Sequence, residues 1–220
     1  MTRYRAVLFD AFGTLIRLDR PSERLIRAVH DRFGRKVSPG DARAAVRAEI
    51  EHYAAHCGSA RDERTVSELR LQCAALLAAR LGLELTAGQS LALLDDAIVL
   101  RPYPDAARAL DGVRRAGLAA AVVSNGDWSL GETLRGAALT VDAVVDSATA
   151  RAAKPDPAIF LRALDVLGVG ASEALHVGDS DETDGAGAAA AGIDVVILDR
   201  SPTPRPGTIG SLDDLAGRLL

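Results

Sequence analysis

Four short stretches carry residue types that could do chemistry together. Asp10 closes the apolar run Ala6-Val7-Leu8-Phe9 and is followed at once by Phe12-Gly13-Thr14. Ser124-Asn125-Gly126 closes a second apolar run, Lys154-Pro155 follows a third segment, and Gly178-Asp179-Ser180 closes a fourth, with Asp184 shortly after. A carboxylate at the end of a strand buried on both faces has no packing role, so Asp10 is a candidate nucleophile. A hydroxyl, an amide and an ammonium (Ser124, Asn125 and Lys154) are donors suited to the oxygens of a reacting anion. Asp179 and Asp184 add two acidic groups at one strand end. Like charges so close disfavour one another, and a hard cation with oxygen ligands would relieve them. Taken singly, each stretch has a plainer reading. Ser124-Asn125-Gly126 is an ordinary turn, and Asp179 to Asp184 are carboxylates at a helix start.

The elements that must position these groups follow from periodicity. The runs at 6–10, 118–123, 143–146, 174–177 and 195–198 are short, apolar and continuous, as expected of strands in a sheet covered on both faces. Helices are expected between them at 105–116, 129–137, 156–167 and 184–191, with Gly117 and Gly192 as C-terminal stops. Ser211 is expected to cap a final helix. Alternating strands and helices imply a parallel sheet with right-handed crossovers. Its polar loops then share one edge. Between residues 21 and 100 the pattern is helical throughout. Four helices are expected there: 22–33 capped by Ser22, 38–56 opened by Ser38-Pro39, 65–81 started by Thr65, and 86–94 started by Thr86.

In their order along the chain, Asp10-x-x-Gly-Thr14, Ser124-Asn125, Lys154-Pro155 and Gly178-Asp179-Ser180-x-x-x-Asp184 resemble the haloacid dehalogenase-like superfamily, and the resemblance covers the whole chain. It implies an α/β fold: a Rossmann-like, doubly wound parallel sheet core (1–16 and 100–220) with a small all-helical cap domain (17–99). It implies a hydrolase with Asp10 as nucleophile and Thr14, Ser124 and Lys154 as further catalytic groups, with Asn125 binding substrate. In phosphatase members Mg²⁺ is held by the nucleophile, by the main-chain carbonyl two residues later (Phe12 here) and by Asp179, with Asp184 direct or through water.

One position departs from that pattern. Phosphatase members carry a second aspartate two residues after the nucleophile, which protonates the leaving group and activates water; here it is Phe12. General acid–base help is worth about 10²–10⁴-fold, so the replacement matters. Haloacid dehalogenases resemble Asp10-Ala11-Phe12-Gly13-Thr14-Leu15, with an aromatic at this position, no metal, and a cap arginine for the halide. Arg47 is the candidate here. Their fourth motif lacks the Gly-Asp pair that Gly178-Asp179 supplies. The expected reaction is Mg²⁺-dependent hydrolysis of a small phosphorylated metabolite. The alternatives are a metal-independent 2-haloacid dehalogenase and a catalytically weak phosphate-binding homologue.

Composition narrows the partners. The chain has 220 residues, is 48% hydrophobic and carries a net charge of −4, enough for a sizeable core and against a general nucleic-acid or anionic-membrane binder. Its two cysteines, Cys57 and Cys73, form no CxxC pair, and charged residues interrupt the first twenty positions where a signal peptide would be apolar. A cytoplasmic monomer or homodimer acting on a small molecule is expected. His52 and His56 have one-turn spacing beside Cys57, a pattern more often a helix surface than a metal site. Trp128 is a candidate pocket residue or a packing residue. His176 reads as a strand residue.

Overall fold

The structure is a computed structural model and describes residues 2–219. The chain separates into two compact units: one runs through Arg17 and resumes at Pro102, and the other spans Leu18–Arg101.

In the first unit, β1 (Ala6–Phe9) is fully buried. The short strand β2 (Ile16–Leu18) follows and leads out of it. In the second unit come α1 (Pro21–Phe33), α2 (Pro39–His56), α3 (Glu63–Arg80) and α4 (Ala87–Ala97). They pack in a closed cycle, each on the next and α4 back on α1. Leu25, Val29, Val46, Leu77 and Leu93 fill their shared core. The chain returns through β3 (Leu100–Pro102), which pairs with β2. The first unit then alternates: α5 (Ala106–Arg115), β4 (Ala119–Ser124), α6 (Leu130–Gly136), β5 (Ala143–Asp146), α7 (Ser147–Ala150), α8 (Pro157–Leu167), β6 (Ala174–Gly178), α9 (Ala186–Ala190) and β7 (Asp194–Ile197). A 3₁₀ segment, Leu212–Arg218, ends the described chain.

Five strands form one parallel sheet in the order β5-β4-β1-β6-β7. β1 is central, and the order reverses on either side of it. A doubly wound sheet opens its crevice at such a switch point. Register makes this concrete: Phe9 lies level with Val122 on β4 and Val177 on β6. The residues that follow those three positions therefore emerge together at one edge. One face of the sheet packs Leu8, Ala121 and Val123 against Ile159, Phe160 and Leu164 of α8. Gly187 lets α9 approach α8 closely: a Cβ there would sit 2.6 Å from the Phe160 ring and 3.0 Å from the Pro155 carbonyl.

Several expected boundaries shift for local reasons. α3 begins at Glu63, not Thr65, because Asp62 is the cap. Its carboxylate accepts the Thr65 N–H at 2.8 Å, and the Thr65 hydroxyl accepts the Asp62 N–H at 3.1 Å. α1 starts at Pro21 without a side-chain cap, so Ser22 does not serve as one. The turn expected to open the helix at 184 is a π-turn over Asp181–Gly185, capped by Ser180. Ser211 does cap the last segment, which is 3₁₀ and not α. The strands β2 and β3, only three residues each, carry no periodicity signal. Cys57 and Cys73 are buried and form no disulfide. Among the described residues no helix is long and apolar enough to cross a membrane.

Candidate active site

The crevice at the ends of β1, β4 and β6 is a cavity of about 170 Å³, and its walls include Asp10, Phe12, Ser124, Lys154, Asp179 and Asp184. A larger cavity, about 510 Å³, lies by Tyr4, Arg5 and Gly117 at the opposite ends of the strands. It gathers no comparable constellation, so chemistry and not size identifies the site.

Asp10 is buried at the end of β1, and its N–H donates to the Val177 carbonyl of β6 at 2.9 Å. Its Oδ1 accepts two bonds, from Ser124 Oγ at 2.9 Å and from Lys154 Nζ at 2.5 Å. Both lone pairs of Oδ1 are then engaged, which leaves Oδ2 as the oxygen for attack or for a ligand. Lys154 Nζ also donates to Asp184 Oδ1 at 2.6 Å. Burial alone would lower the lysine's pKa, but the two carboxylates outweigh it and raise it, so the ammonium stays charged. Asn125 holds the lysine from behind: Nδ2 donates to the Lys154 carbonyl at 3.0 Å, and Oδ1 accepts the Lys154 N–H at 2.7 Å.

Asp184 is almost wholly enclosed and accepts three hydrogen bonds. Besides Lys154 it accepts His176 Nε2–H at 2.9 Å on Oδ1 and the Ser180 N–H at 3.1 Å on Oδ2. Burial works against its charge, but His176 and Lys154 overcome it and hold the carboxyl well below the usual range. His176 is fully buried, which lowers its pKa and keeps the ring neutral. A neutral ring can donate to Asp184 only through Nε2–H, so Nδ1 is the bare nitrogen. That atom is buried without a hydrogen-bond partner among the described residues, and the ring meets Phe160 edge-on at 4.9 Å.

Asp179 differs. Its side chain reaches solvent, yet its carboxylate joins those of Asp10 and Asp184, with one oxygen from each within 4.8 Å of the others. Partial burial, then Asp10 and Asp184, push its pKa up to about 6. Three carboxylates face one ammonium here, an excess of negative charge that a hard cation with oxygen ligands fits. Two glycines make the crowding possible. A Cβ on Gly13, which has φ +85°, would collide with the Asp179 carboxylate, and one on Gly178 would collide with Asp184.

Seven of the expected site residues thus line one cavity: Asp10, Phe12, Ser124, Asn125, Lys154, Asp179 and Asp184. Thr14 is buried beside it, but its hydroxyl has no hydrogen-bond partner among the described residues. The Thr14 carbonyl, by contrast, is held by Arg200 Nη2 at 2.8 Å. Arg47 is an exposed residue of α2 in the helical unit. Trp128 is exposed and does not line the cavity. His52 and His56 stack at 4.2 Å, and His56 Nδ1 is spent on the His52 carbonyl; no cluster of three metal-ligating side chains forms there among the described residues. His176 was accessible to sequence reasoning in one respect: a histidine inside an otherwise apolar buried run must find a partner. Arg200 carries no such signal.

The chain is similar to known proteins over much of its length. Residues 4–192 match the haloacid dehalogenase-like hydrolase family. The chain is 38% identical over 126 residues to a haloacid dehalogenase-like hydrolase domain-containing protein 3 of Danio rerio, covering 53% of this chain and 52% of that one, so it spans about half of that relative's length. It is 36% identical over 148 residues to a phosphatase of Mycobacterium tuberculosis, covering 65% of this chain and 67% of that protein. Its structure is similar to the L-2-haloacid dehalogenase of Xanthobacter autotrophicus, with a TM-score of 0.70, 27% identity and 97% of each chain covered.

Proposed function

The chain belongs to the haloacid dehalogenase-like hydrolase family, and on that premise we propose that it hydrolyses a small phosphorylated metabolite with Mg²⁺ bound and Asp10 as nucleophile. The observation that carries this reading is the convergence of Asp10, Asp179 and Asp184, with one carboxylate oxygen of each within 4.8 Å of the others. Asp179 accounts for most of its weight. Asp10 and Asp184 each have Lys154 as a bonded counter-charge, whereas Asp179 forms no salt bridge among the described residues. A chemistry without metal gives this third carboxylate nothing to do.

The residues that would hold Mg²⁺ are Asp10, Asp179 and the Phe12 carbonyl, with Asp184 direct or through water. When bound, the ion offsets repulsion between the phosphate and Asp10. Asp10 Oδ2 attacks phosphorus, the bond to the leaving oxygen breaks, and an aspartyl phosphate forms. Lys154 and Ser124 orient Asp10 through Oδ1, and the third N–H of Lys154 and the Asn125 backbone N–H would bind the transferring oxygens. Water then attacks the phosphorus, the Asp10 Oδ2–P bond breaks, the carboxylate returns, and inorganic phosphate leaves carrying the water's protons. Phe12 transfers no proton, so substrates whose leaving group departs without one are favoured.

Purified protein is expected to release phosphate from p-nitrophenyl phosphate with Mg²⁺ and to stop when EDTA is added. Halide release from 2-chloropropionate that survives EDTA would overturn the reading. Ion binding should also depend on pH. Asp179 must be deprotonated to act as a ligand, and its pKa of about 6 places that change between pH 5 and 7. Without metal, a raised carboxylate pKa favours the folded chain below the unfolded value, and that advantage is lost as pH rises through 6. Mg²⁺ should therefore raise the melting temperature more at pH 7.5 than at pH 5. Equal shifts at both would remove Asp179 from the ligand set.

Dehalogenation is the second reading, favoured by Phe12 and by the likeness to a haloacid dehalogenase over nearly the whole chain. It uses the same Asp10 attack, on carbon, and a halide leaves without a proton. Arg47 would be its halide group.

A further inference from the structure

Behind the nucleophile loop stands an ion pair that the chemistry above does not use. Arg200 lies beyond β7, and Asp105 stands just before α5. Their side chains meet in a two-pronged bridge, Nη1 to Oδ2 at 2.9 Å and Nη2 to Oδ1 at 3.0 Å. Asp105 is buried and also accepts the Ser211 hydroxyl at 2.8 Å and the Leu212 N–H at 2.9 Å. Burial opposes its charge, yet these donors hold its pKa below the ordinary value. The guanidinium is thereby fixed in plane and direction, and it lies 3.7 Å from the centre of the Tyr103 ring.

The remaining donors of Arg200 point at the loop that Asp10 opens. Nη2 donates to the Thr14 carbonyl at 2.8 Å and Nε to the Gly13 carbonyl at 3.3 Å. The next carbonyl, Leu15, accepts the Tyr103 N–H at 2.9 Å. Gly13 has the Asp179 carboxylate packed against its Cα. The loop is thus bounded by Asp179 at Gly13 and by a rigid cationic fork at two of its carbonyls.

We infer that Arg200, oriented by Asp105, is a positioning residue for the Asp10 nucleophile, fixing its loop through the carbonyls of Gly13 and Thr14. This role rests on Asp10 being the nucleophile and is the same for attack on phosphorus or on carbon. Lysine cannot replace it fully, because the three donors of an ammonium sit on one atom and cannot make the four bonds, two to Asp105 and two to the carbonyls, that the guanidinium spreads over three nitrogens.

The test uses Arg200→Ala, Arg200→Lys and Asp10→Asn in the whole chain, assayed on p-nitrophenyl phosphate with Mg²⁺ and on 2-chloropropionate. Arg200→Ala is expected to lower kcat by about 10- to 100-fold, the scale of a misplaced reacting group, with KM within about threefold. Millimolar guanidinium, far below denaturing concentration, should restore part of kcat, which a merely destabilised fold would not allow. Arg200→Lys keeps a charge opposite Asp105, so it folds, and should show a smaller loss of the same kind. Hydrogen exchange at Leu15 and Ile16, whose amides bond to the Ala11 carbonyl at 2.9 Å, should quicken at least about tenfold in Arg200→Ala. If Asp10→Asn leaves turnover intact, the nucleophile reading fails and this role with it. If Asp10→Asn abolishes turnover while both Arg200 variants keep kcat within about twofold of the parent, the positioning role alone is overturned. Unchanged exchange at Leu15 and Ile16 overturns it whatever the activity.

Discussion

Asp10→Asn should reduce turnover by about 10⁴- to 10⁶-fold, the range seen when a covalent nucleophile is removed, while the chain stays folded. The bonding pattern explains why the two effects separate. Asp10 Oδ1 accepts both Ser124 Oγ and Lys154 Nζ. An asparagine carbonyl oxygen in that position can accept the same two bonds. The changed atom is Oδ2, which becomes an amide nitrogen with no lone pair for attack. Lys154 keeps a charged partner in Asp184 at 2.6 Å, so no buried ammonium is left uncompensated. One negative charge also leaves a cluster in which Asp10 helps to raise the pKa of Asp179. The metal-free variant should therefore melt no lower than the parent, and Asp179 should titrate lower. An active site that gains stability when its nucleophile is neutralised is holding strain for function. The check pairs initial rates with thermal melts in EDTA. Full activity removes Asp10 from the chemistry, and a melt lower by several degrees would mean that its charge is structural.

The sheet and its reactive edge were legible because both depend on local pattern. Continuous apolar runs mark the five strands. Polar residues at the ends of three of them, Asp10, Ser124 and Asp179, lie at one edge once the strands are parallel. Lys154 was legible from its place in the ordered motifs, and it is one of only two lysines in the chain. What escaped depends on distance along the chain. Arg200 reaches Gly13 and Thr14 across more than 180 residues, and nothing in its own neighbourhood marks it. His176 was legible as a strand residue in need of a partner, but the partner was not, because Asp184 arrives through a π-turn and not through helical spacing. Thr14 shows the converse: a hydroxyl in a motif suggests a side-chain bond, but the loop is held through its backbone. The cap of α3 fell to Asp62 because Thr65 is the third residue of a reciprocal capping pair, a geometry equally compatible with either residue as the start.

Phe12→Asp should separate the two chemistries by leaving group. Phe12 is half-buried at the cavity wall, and its ring lies near Gly126, where an added Cβ would come within 3.6 Å of it. A carboxyl on this side chain would be two residues from the nucleophile and close to the transferring group. It would be a fourth acid beside Asp10, Asp179 and Asp184, so burial and then crowding should raise its pKa as they do for Asp179, and a protonated carboxyl near neutral pH is what a general acid requires. For an alkyl phosphate, whose leaving alkoxide is a strong base, proton donation is worth about 10²–10⁴-fold. Imperfect placement should leave a gain of about 10- to 100-fold in kcat/KM. For p-nitrophenyl phosphate the leaving group departs without a proton, and the rate should change by less than about threefold. The substitution also removes ring packing, at about 1–3 kcal/mol of stability for a partly buried aromatic; rates must therefore be compared well below the melting point. A selective gain on the alkyl ester identifies Phe12 as the reason the parent favours activated substrates. Equal effects on both esters would mean that proton donation is not limiting. If the variant loses halide release from 2-chloropropionate and gains no phosphatase activity, the aromatic ring belongs to dehalogenase chemistry, and the acidic cluster would need another explanation.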